Sequence, residues 1–186
     1  MPLWHANSEQ IRLIVAKLNP MPLHAQPQIF EFEIASSENL SYIPMCIRFN
    51  LDRCELRLTL AQWQALPYRE RLEFTTYPLL GSGDSVDGFV QALAERLAGA
   101  GAGELAPMAE APDMAWACTE HAPSALLRQC VLHRLAPIGD SVWGHLPEFQ
   151  RYVLSKLSRR NSANHDFLAA VREFGLSAGP FVTKSY

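Results

Sequence analysis

Apolar residues recur along this chain at helical spacing, interrupted at short intervals by proline, glycine and asparagine. From Ser8, Ile11, Ile14, Val15 and Leu18 fall on one face and predict a short amphipathic helix that Asn19-Pro20 stops. Pro20, Pro22 and Pro27 then favour an extended connector. At 29–34 the pattern changes period: Phe30, Phe32 and Ile34 alternate with Glu31 and Glu33, which predicts one short strand or extended segment. Its two carboxylates are expected on a solvated face, not as an acid/base pair. After Asn39 the helical period returns. Pro44 sits at a first-turn position, Met45, Ile47, Phe49, Leu51 and Cys54 supply a buried surface, and Arg48, Asp52 and Arg53 complete the polar side.

Thr59 and Gln62 stand at capping-box spacing before TLAQWQAL, and Pro67 restarts the chain as another helix. A helix from Ser85 carries Val86, Phe89, Val90, Leu93 and Leu97 as a stripe. It gives way to a Gly/Ala/Pro-rich stretch at about 99–115, the best linker candidate. Beyond it, Pro123 starts a helix with Leu126, Leu127, Cys130 and Val131. Asp140 is expected to cap a short turn around Trp143, and Pro147 opens the helix EFQRYVLSKL. Asn164 caps a last helix, with Phe167, Leu168, Val171 and Phe174 on one face and Gly175 as its left-handed stop.

The two halves share a frame. Trp63, Leu66, Pro67 and Arg71 match Trp143, Leu146, Pro147 and Arg151 at a constant offset of 80. The expected architecture is a mainly α, compact helical domain over 1–186. It consists of two related helix-turn-helix units at about 40–77 and 120–158, with the short extended segment near the N-terminus. In each unit Trp should cover an apolar joint, Leu-Pro should fix the corner, and Arg should reach a helix C-terminus or a carboxylate.

Composition narrows the class. The 186 residues, 48% hydrophobic and 19% charged with a net charge of −3, describe a chain that buries roughly 70% of its unfolded surface without a metal or disulfide. The acidic balance argues against indiscriminate binding to nucleic acid or anionic membranes, although a local basic patch escapes such a count. The opening MPLWHANSEQ lacks a secretory signal and no apolar run is long enough to span a bilayer, so a cytoplasmic protein without membrane attachment is expected. Cys46, Cys54, Cys118 and Cys130 show no CxxC and no finger spacing, so no metal, cofactor or disulfide is expected.

Catalytic signatures are weak throughout. No serine sits in GxSxG, and GSGDSVDG at 81–88 lacks the lysine of a phosphate loop and is better read as helix capping. The most site-like cluster is C-terminal: Lys156, Arg159 and Arg160, then Asn164, His165 and Asp166 at a helix start. These residues satisfy helix ends, face an acidic partner, hold an anion such as a pterin phosphate, or touch nucleic acid. Arg159, Arg160, Asn164 and His165 are the candidate partner-binding residues. No catalytic residue is assigned.

Three stretches carry a family resemblance: FEFE at 30–33, IPMCIRFNLDRCELRLTLAQWQALPYRERL at 43–72, and FQRYVLSKLSRR with NHDFLAAVREFGL at 149–176. In their order and spacing the chain resembles the nitrate reductase-associated protein family, small proteins whose genes accompany assimilatory nitrate reductase in cyanobacteria and occur in other bacteria. The family's C-terminal segment usually has a Gly-His pair after Ser-Arg, whereas here Arg160-Asn161-Ser162-Ala163 precede Asn164-His165. The resemblance implies a non-enzymatic accessory or maturation role for nitrate reductase, with the reductase or its cofactor-loading machinery as partner. Two alternatives stay open: a helical nucleic-acid-binding regulator, which the charge disfavours, and a small enzyme of nitrogen metabolism.

Overall fold

The structure, a computed structural model, describes residues 27–36, 38–81 and 83–176; the helix expected at 8–18 lies outside them. Among the described residues the chain is mainly helical, with nine α-helices and a two-stranded sheet. It divides into two compact units, Met1–Glu110 and Ala111–Tyr186.

The first unit contains α1 (Glu31–Ser36), a 3-10 turn (Glu38–Leu40), α2 (Met45–Arg53), β1 (Leu56–Arg57), α3 (Leu60–Ala65), α4 (Tyr68–Phe74), α5 (Asp87–Gly99) and β2 (Ala106–Pro107). The helix α1 corrects the extended segment expected at 29–34. Glu33 decides the matter: its carboxylate accepts the N–H of Phe30 at 3.2 Å, as a third-position acid does in a capping box, and the N–H of Met45 at 2.7 Å. Six alternating residues without a strand to pair with have no ladder to join, whereas two acids in a first turn favour a helix start. Glu33 therefore works as a backbone acceptor, not as a solvated charge.

Helix α2 follows its N-cap Pro44 and buries Cys46, Ile47, Phe49 and Leu51, together with Asn50 and Asp52. Asp52 thus leaves the polar side on which its spacing placed it. Asn50 is a clamp: its amide donates to the Pro78 carbonyl and accepts from the Leu80 N–H, each at 2.9 Å, fixing the chain after α4. The stripe of α5 closes the core, with Phe89, Leu93 and Leu97 fully buried and Phe89 edge-on to Phe74 and Tyr77. The stretch 99–115 is divided. Its Ala106–Pro107 pairs antiparallel with Leu56–Arg57, and the boundary between the units falls after Glu110.

The second unit holds α6 (Ser124–Leu132), α7 (Asp140–His145), α8 (Glu148–Leu157) and α9 (His165–Glu173), with α8 packed on both α6 and α9. Trp116, Leu126, Trp143, Tyr152, Val153, Leu154 and Phe167 form its core. Gly175, at φ 70, ends α9.

The shared frame has matching local geometry in the two units. Helices α3 and α7 are six residues each. Each ends on a leucine whose N–H returns to the tryptophan carbonyl, at 3.2 Å for Leu66 and 3.1 Å for Leu146, and a proline N-cap opens the next helix. Trp63 Nε1 donates to the Leu40 carbonyl and Trp143 Nε1 to the Cys118 carbonyl, both at 2.8 Å. Arg71 reaches the Leu40 carbonyl at 3.1 Å, and Arg151 the carbonyls of Trp116 at 2.9 Å and Leu146 at 2.5 Å. These bonds end on backbone carbonyls, which suits a guanidinium with several fixed donors. The helix starts differ. Thr59 and Gln62 form a full capping box, whereas Asp140 does not cap α7. Gly139 holds that position, and Asp140 instead accepts the Ala122 N–H at 2.8 Å and faces His121 at 3.2 Å. Those two partners hold its carboxyl below the usual range.

Candidate functional site

Helix α8 runs out at Leu157, and Ser158 returns its hydroxyl to the Leu154 carbonyl at 2.5 Å. The loop 159–164 that follows would carry free backbone groups if nothing met them. Gln129 of α6, fully buried, meets three: its amide nitrogen donates to the carbonyls of Arg160 at 2.7 Å and Ser162 at 2.8 Å, and its oxygen accepts the Asn164 N–H at 3.1 Å. Asn164 adds two more bonds, donating to the Leu157 carbonyl at 2.8 Å and accepting the Asp166 N–H at 3.1 Å as the N-cap of α9.

The four candidate residues therefore separate into two layers. Asn164 is only 7% exposed and its side chain is committed to the backbone. Arg159, Arg160 and His165 are exposed above it. Arg159 approaches Asp113 at 3.8 Å, a surface pair worth at most about 1 kcal/mol. His165 lies 6.4 Å from His133, whose ring stacks on Phe167 at 6.0 Å. Nε2 of His133 is buried without a hydrogen-bond partner among the described residues.

Gln129 and His133 were not among the sequence candidates. The signal was there for Gln129: with Leu126 and Cys130 it occupies the inward face of α6, and a polar residue at core spacing demands partners.

Elsewhere among the described residues, little is arranged for nucleophilic chemistry. Burial raises the Cys46 thiol strongly, with the Glu33 charge adding to it, pushes Cys54 up to about 11, and raises Cys130 as well. All four cysteines are unbridged, and Cys118 is exposed. No group of three His, Cys, Asp or Glu side chains among the described residues is placed to hold a metal. In the glycine-rich turn at 81–88, the Gly81 N–H is taken by Asp84 at 2.7 Å. An open groove of about 600 Å³ in the first unit, lined by Arg57, Gln62, Ala65, Gly101 and Glu104, has Gln62 already bonded to the Glu104 carbonyl. No helix among the described residues is long and apolar enough to cross a membrane.

These elements define a small, mainly helical protein whose conspicuous polar feature is a firmly anchored loop bearing exposed arginines. The chain belongs to the family of conserved nitrate reductase-associated proteins, which it matches over residues 29–174, from just before α1 to just past α9. No curated protein and no solved structure matches it.

Proposed function

We propose that this protein is a non-enzymatic cytoplasmic accessory of assimilatory nitrate reductase, acting by binding the reductase or the machinery that loads its cofactor. The observation that carries the reading is the family match over 29–174, which takes in every helix of both described units. The anchored loop supports it. Five hydrogen bonds from Gln129 and Asn164 hold the backbone around Arg159 and Arg160, so their charges are displayed from a fixed platform, as a contact surface requires. His165 borders that platform, and Asn164 serves from beneath it.

The same reading takes the segments at about 40–77 and 120–158 as copies of one helix-turn-helix element. The equal lengths of α3 and α7, the paired Leu-Pro corners and the tryptophan and arginine bonds to backbone carbonyls support duplication.

The test is capture by the tagged protein from nitrate-grown cells, with bound proteins identified by mass and molybdenum measured in the eluate. Nitrate reductase or a molybdenum-cofactor enzyme should be enriched by the native chain and lost with Arg159→Glu, Arg160→Glu. Both side chains are exposed, so the variant should fold, which its melting temperature checks. Capture of neither enzyme by the native chain refutes the accessory role.

A further inference from the structure

The two tryptophan–arginine frames differ in how they satisfy the arginine. In the second unit Arg151 is only 7% exposed, and its Nε and Nη1 both end on backbone carbonyls. In the first, Arg71 is half-buried. Among the described residues its side chain makes one hydrogen bond, from Nη1 to the Leu40 carbonyl, and its Nε is buried without a partner. A guanidinium carries five N–H donors, so most of those on Arg71 are unused. It also lacks a counter-charge. The acids of its own helix, Glu70 and Glu73, lie against Arg96 at 3.5 and 3.6 Å. Burial lowers the Arg71 guanidinium from its ordinary value, opposed by the nearby Tyr68 phenol.

The surroundings of Arg71 are apolar and open. The stretch Leu40–Tyr42 is held against α3 and α4: Trp63 and Arg71 donate to the Leu40 carbonyl, and Gln64 Nε2 donates to the Ser41 carbonyl at 3.0 Å. Tyr68 stands one turn before Arg71 on α4, Leu60 stands one turn before Gln64 on α3, and Tyr42 directly follows the two bonded carbonyls. Tyr42, Leu60 and Tyr68 are 57%, 39% and 38% exposed, and among the described residues of the first unit they are the exposed large apolar side chains. At the constant offset of 80, the second unit has Asp140 and Glu148 where the first has Leu60 and Tyr68. The frame that closes over its arginine thus carries acids at these positions, and the frame that leaves its arginine open carries apolar side chains.

We propose that Arg71, with Tyr68, Tyr42 and Leu60 around it, is a docking site for an acidic side chain of a partner protein, an aspartate or glutamate flanked by aliphatic residues. The carboxylate would take the guanidinium donors that Leu40 leaves, and the flanking aliphatics would lie on the tyrosine rings and Leu60. Tyrosine and arginine are also the residue types on which binding energy concentrates. The site lies in the first unit and asks nothing of the Arg159–Arg160 loop, so its failure and that of the accessory reading are separate outcomes. A nucleic-acid strand would suit the two rings but wants a run of cations along its backbone, whereas Arg69 and Arg71 are interleaved with Glu70 and Glu73.

The probe is an N-acetylated, C-amidated peptide with one aspartate between leucines and serines at its ends, titrated into the full isotope-labelled chain while NMR follows the arginine Nε–H resonances. The Arg71 resonance should shift saturably while that of Arg151 stays in place. A counterpart with asparagine for aspartate should bind about tenfold more weakly, because it loses the charged hydrogen bonds. Tyr68→Ala, at an exposed side chain whose loss the melting temperature checks, should weaken the aspartate peptide about fivefold or more. The proposal is overturned by an aspartate peptide that leaves Arg71 unmoved or shifts Arg151 with it, by an asparagine counterpart that binds equally, or by undiminished binding to Tyr68→Ala. It is overturned as well if acetate at the same concentration produces the whole shift, which would make this a small-anion site, or if single-stranded DNA moves Arg71 and the peptide does not.

Discussion

Replacing Gln129 with methionine keeps the length and most of the volume of a fully buried side chain while deleting its three hydrogen bonds. The losses are unequal. The Asn164 N–H is buried and stays without an acceptor, which costs about 1–3 kcal/mol. The carbonyls of Arg160 and Ser162 are partly buried and regain water, so each loses about 0.5–1 kcal/mol. The total is about 2–5 kcal/mol, or roughly 4–20 °C in melting temperature for a chain of this size. Amide hydrogen exchange locates the damage, because the Asn164 amide should exchange at least about tenfold faster while the amides of α5 keep their protection. A Gln129→Met protein that melts within about 1 °C of the native one, with Asn164 protection unchanged, would show that Gln129 does not hold the loop. The platform argument for Arg159 and Arg160 would then fail with it.

Four further outcomes follow. Asn164→Ala removes the N-cap of α9 and the bond to the Leu157 carbonyl and should cost about 1–3 kcal/mol in urea denaturation, more than Thr59→Ala at an exposed capping box, about 1 kcal/mol. Gly144→Ala would place a Cβ 2.8 Å from the Thr119 carbonyl oxygen, a backbone atom, so α7 must shift; the melting temperature should fall despite the higher helix propensity of alanine. Alkylation of the native protein at pH 8 should modify exposed Cys118 first and Cys46 and Cys130 last, read by peptide mass. The raised folded-state thiols give a definite sign to pH dependence. Their contribution is complete below the ordinary thiol range, near about 8.5, and is lost as pH rises through the folded values, about 11 for Cys54. The urea midpoint should therefore fall between pH 8 and 11, and fall less in a Cys46→Ala, Cys54→Ala variant.

Local signals carried the helices well and the site less well. The stripe of α5, the capping box at Thr59, the Pro67 and Pro147 starts and the Gly175 stop are each set by groups within a few residues, so spacing alone exposes them. Helix α1 escaped because alternation over 30–34 fits either period, and the deciding bond from the Met45 N–H to Glu33 spans twelve positions. The strand Ala106–Pro107 escaped for the same reason: its partner lies some fifty residues earlier, and nothing in a Gly/Ala/Pro-rich stretch announces it. At the candidate site the exposed arginines were legible from charge. Asn164 was legible as the N-cap of α9, but its burial and its second bond, to the Leu157 carbonyl, were not, and these take its side chain off the exposed surface.

Glu55 occupies the left-handed region at φ 54, an arrangement that costs a non-glycine residue about 1–2 kcal/mol. Its carbonyl accepts the Met108 N–H at 2.8 Å, beside the pairing of Leu56 with Pro107. The consequence concerns biosynthesis. A nascent chain that has released α5 has completed every helix of the first unit, yet the residue that turns the chain from α2 into β1 still lacks its partner. Until Met108 has cleared the ribosome, that turn is held from its N–H side alone, by the bond to the Asp52 carbonyl at 3.2 Å. A gene truncated at the Gly/Ala run after Gly99 would therefore encode the described helices of the first unit without the Met108 bond to Glu55, whereas one ending after Glu110 would include it.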